Sequence, residues 1–256
     1  MKIEANRVCF DDSYLRGRLS HHENRTLLEA IFSFHGFPEH AIRLSSAIDS
    51  LLYRQGADLT PAEAEAIESY VGNSWDYINQ FLAMSEMSDQ KWLVEDRKTL
   101  LMQALDKLPI SPMTFYRATR TMGLEWYQTL VDRLENGSIS AGTTLKSRSF
   151  LSFTSSPYAL RPFACDYVAG AEPEDGCIIY RIEGGLRSIS KVSANEFEYE
   201  GILLPDCTVS VAQTEKLDIP SRSGKTRTVW FVQLEEDARG GTPAFDFHGN
   251  PWREWA

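Results

Sequence analysis

The sequence predicts an α+β fold in which helices come first and a two-layered, mostly antiparallel β core follows. Up to about residue 110, apolar residues recur with the helical period of about 3.6. From residue 113 the period becomes two, and short segments rich in β-branched and aromatic residues succeed one another. So many short strands need a curled or two-layered sheet to bury their apolar faces.

The elements follow in order. In "HAIRLSSAIDSLLYRQG", Leu44, Ile48, Leu51 and Leu52 keep the helical period and Gly56 supplies a stop. "LTPAEAEAIESYVG" opens with Thr60 as N-cap, Pro61 at the first helical position and Glu63 closing a capping box. Another start at Ser74 leads into "WDYINQFL", and "KTLLMQALDKLP" carries an apolar stripe that ends before Pro109. The strand segments are "MTFYR", "SFLSFT", "CIIYRI", "EFEYEGILL", "TVSVAQ" and "TVWFVQL". Two helices interrupt them: "LEWYQTLVDRLENG", ended by Gly137, and "SPYALRPFACDYV", with Pro162 at a kink or late start. The tail carries Phe245, Phe247, Trp252 and Trp255, so it is expected to dock on the body. One domain accounts for this order, with a helical lobe over 1–110, a β core over 111–236 and a docked tail over 237–256.

A chain of 256 residues with 43% hydrophobic and 24% charged residues has a globular composition. A net charge of -10 leaves no overall attraction for nucleic acid or anionic membrane, so neither is an expected partner. Cys9, Cys165, Cys177 and Cys207 form no CxxC pair, and the expectation is reduced thiols and no metal. No run approaches the roughly 18 apolar residues of a membrane span. The opening "MKIEANRVCFDDSYLRGRLS" has acidic residues where a Sec-type leader needs an apolar core, so no such leader is expected. The phosphate-binding patterns GxGxxG and GxxxxGK[ST] are absent, as are GxSxG and HExxH. His21 and His22 lie in a polar segment and read as solvated.

Three strand-borne polar features remain. Arg117 ends the apolar run "MTFYR", where a planar fork of donors suits a phosphate or carboxylate, although an edge or salt-bridged arginine is the plainer reading. Ser152 and Thr154 share a strand face opposite Phe153, which also suits ordinary polar filler. Glu196, Glu198 and Glu200 alternate along "EFEYEGILL", either as functional carboxylates or as charges guarding a strand edge.

Arginine, then serine or threonine, then paired glutamates on successive strands resembles the R-S-E class of mono-ADP-ribosyltransferases, the bacterial toxin and effector enzymes that use NAD. Further segments carry the resemblance in the same order. "LTPAEAEAIESYVGNSWDYINQFL" resembles the family's Tyr-x-Gly turn leading into Tyr-x-x-Ile-Asn, here Tyr70, Gly72, Tyr77, Ile78 and Asn79. "ALDKLPISPMTFYRATR" resembles its lead into the Tyr-Arg strand, and "SFLSFTSSPYALRPFA" its Phe-x-Ser strand and following helix. "ISKVSANEFEYEGILLP" resembles its turn-turn loop and Glu-x-Glu strand.

The resemblance implies an ADP-ribosyltransferase fold and a reaction in which NAD is the co-substrate, with no metal. NAD is split between nicotinamide and ribose through an oxocarbenium-like transition state, and ADP-ribose passes to a side chain of a host protein. Arg117 would hold the phosphates, with Ser152, Thr154 and Ser155 around the dinucleotide; Ser152 is favoured for the serine role because it keeps the spacing from Phe150 to Pro157. Glu198 and Glu200 would be the catalytic pair, with Glu196 in reserve. The family usually has Glu-x-Glu followed at once by Val-Leu-Leu-Pro, whereas Gly201 intervenes before "ILLP" here. Counting back from Pro205 puts the catalytic position on Gly201, and counting forward from the loop puts it on Glu198; a bulge at Gly201 would give it to Glu200. The resemblance further implies a monomeric effector delivered by a specialised bacterial secretion system into the host cytosol. Its acceptor would be Arg, or Thr or Ser, with ubiquitin among the targets it allows. Two other readings stand beside it: an NAD glycohydrolase on the same fold, and a binding module that has lost catalysis.

Overall fold

Thr60, Pro61 and Glu63 start the first helix of the computed structural model, which describes residues 58–74, 78–79, 91–120, 125–155, 160, 176–189, 199–220, 226–236 and 243–253. The helix expected in 40–56, most of that in 156–168, and Glu196, Glu198 and Trp255 lie outside those residues. Helix α1 spans Pro61–Ser69. The Thr60 hydroxyl accepts from the Glu63 amide at 3.3 Å, and the Glu63 carboxylate accepts from the Thr60 amide at 2.7 Å. That carboxylate also receives the Lys107 ammonium at 2.7 Å, just beyond helix α2 (Lys91–Asp106). Hydrogen bonding, from Lys107 first and then from the Thr60 backbone, holds Glu63 below the usual carboxylate range. Thr60→Ala is expected to lower stability by about 1 kcal/mol in chemical unfolding, the usual worth of a lost N-cap. An unchanged midpoint would show that Lys107 alone secures this helix start.

Helix α1 passes into a π turn, Tyr70–Ser74. Ile67, Tyr70 and Ile78 pack with Leu101, Leu105 and Leu108, and the same cluster takes in Phe150, Ile189 and Ile202 from the sheet side. The helices thus cover one face of the strands that carry the site.

The strands are β1 (Ile110–Ser111), β2 (Thr114–Arg120), β3 (Thr144–Lys146), β4 (Leu151–Thr154), β5 (Cys177–Glu183), β6 (Leu186–Ser188), β7 (Glu200–Leu203), β8 (Thr208–Pro220), β9 (Thr226–Glu236) and β10 (Phe245–Asp246), with helix α3 (Glu125–Glu135) after β2. Their order is β1-β6-β7-β4-β2-β5-β9-β8-β3-β10, and the pairing is antiparallel except at β5–β9 and β3–β10. This is the α+β class the sequence predicts. Among the described residues a single pair, Tyr116↔Thr154, joins β2 to β4 and so links the two halves of the sheet. Leu151, Phe153 and Leu203 from one half share a cluster with Phe115, Tyr180 and Val232 from the other and with Leu130 and Leu134 of α3. The sheet therefore curls around one apolar core while its other face, at β4 and β7, meets the helices.

Three elements differ from their expected extents. Helix α2 starts at Lys91, ahead of the apolar stripe that marked it in the sequence. β8 continues past "TVSVAQ" through Glu215, Lys216 and Asp218 to Pro220, held by its ladder to β9, with a bulge between Val211 and Gln213. β7 begins only at Glu200, because Tyr199 has a φ of 45°, outside the extended region. In the tail, Phe247 is buried in the main core and its carbonyl accepts from the Tyr180 hydroxyl at 3.3 Å. Trp252 lies under Lys146 and Arg148 at 5.0 and 4.3 Å from its ring centroid.

Candidate active site

Arg117, Ser152 and Glu200 stand on β2, β4 and β7, which are successive neighbours in the sheet. Arg117 lies opposite Tyr180 in the β2–β5 ladder. Its guanidinium turns toward β4 and donates from Nη1 to the Ser152 carbonyl at 2.9 Å. A side chain thus satisfies a β4 backbone acceptor beyond the one β2–β4 pair, which ties the arginine to the strand carrying the serine. Burial pulls the Arg117 pKa down, and the nearby Tyr70, Tyr180 and Glu200 oppose that shift. The group remains a cation at neutral pH, since arginine does not deprotonate in proteins.

Side chains alternate along β4, and cross-strand partners share a face. The register Leu151↔Leu203, Ser152↔Ile202, Phe153↔Gly201, Thr154↔Glu200 therefore sorts the site. Phe153 and Gly201 face the main core. Ser152, Thr154, Ile202 and Glu200 face the helical side. The Ser152 hydroxyl is 3.4 Å from that of Tyr70. Tyr70 is pushed above the usual phenol range chiefly by burial, with the Glu200 carboxylate adding to the effect and hydrogen bonds to Ser152 and Asn79 and the charge of Arg117 working against it. Tyr70, Arg117 and Glu200 therefore feel one another's charge around Ser152.

The helical lobe fixes where β4 starts. Asn79 donates from Nδ2 to the Phe150 carbonyl at 3.0 Å and accepts the Phe150 amide on Oδ1, also at 3.0 Å. The Ser149 hydroxyl donates to the Asn79 carbonyl at 3.1 Å. Tyr70 and Asn79 belong to the segment "YVGNSWDYIN", so that motif has a physical use here: it grips the backbone just before the Ser152 strand.

Glu200 is buried, with 8% of its surface exposed, and pairs directly with Thr154. Gly201 forms no bulge. Gly201 pairs with Phe153 on one side and Ser188 on the other, without a register shift. The residue is glycine because of packing: a Cβ there would stand 2.6 Å from Cε1 and 2.8 Å from Cζ of Phe115. The departure from extended backbone comes two residues earlier, at Tyr199. Both the amide and the hydroxyl of Ser155 donate to the Tyr199 carbonyl, at 3.3 and 3.2 Å. Ser155 thus holds the turn that introduces Glu200, while Ser152 stands with Tyr70 and Arg117. Tyr199, immediately before Glu200, is left-handed, and the two other glutamates of the expected row, Glu196 and Glu198, lie outside the described residues.

Tyr180 and Phe115 carry no signal as site residues in the sequence. Each reads as an apolar strand position, and only the register shows that one lies beside Arg117 and the other fills the space over Gly201.

No protein-family model and no curated protein matches the chain. Solved structures do. The chain is similar to the Vis toxin, an ADP-ribosyltransferase from Vibrio splendidus, with a TM-score of 0.60 and 17% identity over 82% of this chain and 94% of that one. The same toxin matches in its complex with agmatine, with a TM-score of 0.60 over 83% and 94% of the two chains. The enzymatic component C2-I of the C2 toxin from Clostridium botulinum matches with a TM-score of 0.53 and 14% identity, over 75% of this chain and 46% of that one. These likenesses establish the fold.

Proposed function

Starting from the fold it shares with bacterial ADP-ribosyltransferase toxins, we propose that this chain cleaves NAD to nicotinamide and transfers ADP-ribose to a side chain of a host protein. The observation that supports this reading is the convergence of Arg117, Ser152 and buried Glu200 on three neighbouring strands, with Arg117 and Glu200 electrostatically in reach of each other. Two of these groups have the chemistry the dinucleotide needs: Arg117 offers a fork of N–H donors for a pyrophosphate and Glu200 a carboxylate for a ribose hydroxyl.

NAD carries its nicotinamide as a cationic pyridinium, which takes the bonding electron pair and departs as a neutral molecule, so positive charge develops on the ribose as the bond breaks. Arg117 binds the phosphates and keeps the ribose within reach. Glu200 accepts a hydrogen bond from the ribose and offsets the growing positive charge, so its contribution is greater in the transition state than in the ground state. Ser152 and Thr154 line the face on which Glu200 stands, and Ser155 secures the turn before it. Glu198 takes the proton from the incoming acceptor. The acceptor class we infer is arginine. The Glu-x-Glu pattern supports that choice, as does the match to a toxin structure holding agmatine, a guanidine. The setting is a bacterial effector at work in a host cell.

The test is incubation with NAD labelled on its adenylate half, with host lysate and purified ubiquitin as separate acceptor arms. Nicotinamide release with label on protein is the expected result, and hydroxylamine-labile or arginine-located label identifies the acceptor by mass spectrometry. Label found only in free ADP-ribose selects the glycohydrolase reading. No nicotinamide in any arm rejects both.

A further inference from the structure

We propose that Trp126 and His248 form a shelf that stacks the adenine of the dinucleotide, an assignment that rests on the NAD-binding role of Arg117. The rings of Trp126 and His248 meet at 4.7 Å between centroids and 43° between planes. Trp126, in the first turn of α3, backs onto the main core and its ring also touches that of Tyr127. His248 is exposed, so a planar surface faces solvent with an indole fixed behind it.

The turn that presents His248 is rigid. The Asp246 carboxylate accepts from the amides of His248 and Asn250, at 2.8 and 2.9 Å, and from the Asn250 side chain at 3.1 Å. Gly249 has a φ of 79° and sits so close to α3 that a Cβ would meet the Leu130 Cα at 3.0 Å. The backbone that carries His248 is therefore held against α3, and the ordering cost of stacking a ring there is reduced to that of the side chain.

In the strand order this shelf and Glu200 fall on opposite sides of Arg117. Glu200 lies two strands away from β2 in one direction, across β4, or about 10 Å at the usual strand spacing. Tyr180 lies on β5, one strand away in the other direction, and its hydroxyl bonds the carbonyl of Phe247, the residue before His248. A dinucleotide with its pyrophosphate at Arg117 and its reacting ribose at Glu200 carries its second nucleoside toward β5 and the tail. Desolvation lowers the His248 pKa, Asp246 raises it in part, and the charge of Arg117 lowers it further. The net shift is downward and favours the neutral imidazole, and the ring lies within the field of Arg117.

Calorimetric titration of the full chain with AMP and with ribose 5-phosphate tests the shelf, because the two differ only by the base. AMP should bind at least tenfold more tightly to the wild type, the scale of a base stacked on an aromatic side chain. His248→Ala and Trp126→Ala should each erase most of that preference and leave ribose 5-phosphate binding unchanged, while His248→Phe should retain it. His248 is exposed, so its variants keep the test valid if Trp126→Ala fails to fold. An AMP preference that survives His248→Ala overturns the shelf, as does a wild type that binds both ligands equally. Nicotinamide release by the wild type is measured in parallel: release together with an unchanged AMP preference in the variants removes the shelf and leaves the proposed reaction standing. A chain that releases none, yet shows the expected AMP pattern, removes the reaction and leaves the shelf.

Discussion

Glu200→Gln is expected to lower kcat for nicotinamide release by roughly 10²- to 10³-fold, the usual cost of removing one preorganised charge from a transition state. The amide keeps the size of the side chain and loses only the negative charge. With the proposed phosphate contact of Arg117 left intact, KM for NAD should change little, and the loss should fall on kcat. Glu200 and Arg117 lie in each other's field. Removing the carboxylate therefore also leaves a half-buried cation less compensated, so thermal unfolding of the variant must accompany the kinetics. Glu198→Gln makes the comparison informative. It should reduce transfer to protein while nicotinamide release to water persists, since its proposed partner is the acceptor. Retention of kcat in Glu200→Gln alongside loss in Glu198→Gln would move the ribose-facing role to Glu198.

Those assignments show where sequence and structure agree and where they part. The start of α1 is legible because a capping box is local: Thr60, Pro61 and Glu63 need only one another, and Lys107 joins them later. The resemblance in "YVGNSWDYIN" is legible as a pattern, but the grip of Asn79 on Phe150 spans 71 residues and becomes visible only in the fold. The second half of β8 has no local signal, because Glu215, Lys216 and Asp218 are charged residues whose strand conformation is held by the ladder to β9. For the glutamates the local pattern stops at Tyr199: alternation in the sequence assumes extended backbone throughout, whereas Tyr199, immediately before Glu200, is left-handed and its carbonyl accepts from Ser155, 44 residues away, with Glu196 and Glu198 outside the described residues. Ser152, Thr154, Arg117 and Glu200 are brought together by register, which periodicity cannot supply.

Gly201→Ala is expected to cost about 1–3 kcal/mol and most of the activity. The new methyl group would stand 2.6 Å from the Phe115 ring, and that ring has no room to yield because its exposure is 0%. Either β7 moves or the core around Phe115 does. Movement of β7 displaces Glu200, the adjacent residue, from its place opposite Thr154, and a shift of about 1 Å in a catalytic group is enough for a loss on the order of 10²-fold. The remedy identifies the cause. Phe115→Leu alone leaves a cavity and should destabilise the chain by itself, yet in Gly201→Ala/Phe115→Leu the methyl occupies part of the vacated space. The double variant should therefore be more stable and more active than the sum of the two single losses predicts, with a favourable coupling of at least about 0.5 kcal/mol in a double-mutant cycle. Additive losses would mean that glycine is needed at 201 for its backbone freedom and that the ring has no part in placing Glu200. The extended pairing of Gly201 on both sides favours coupling, because a residue held in a regular ladder has no special conformation for glycine to supply.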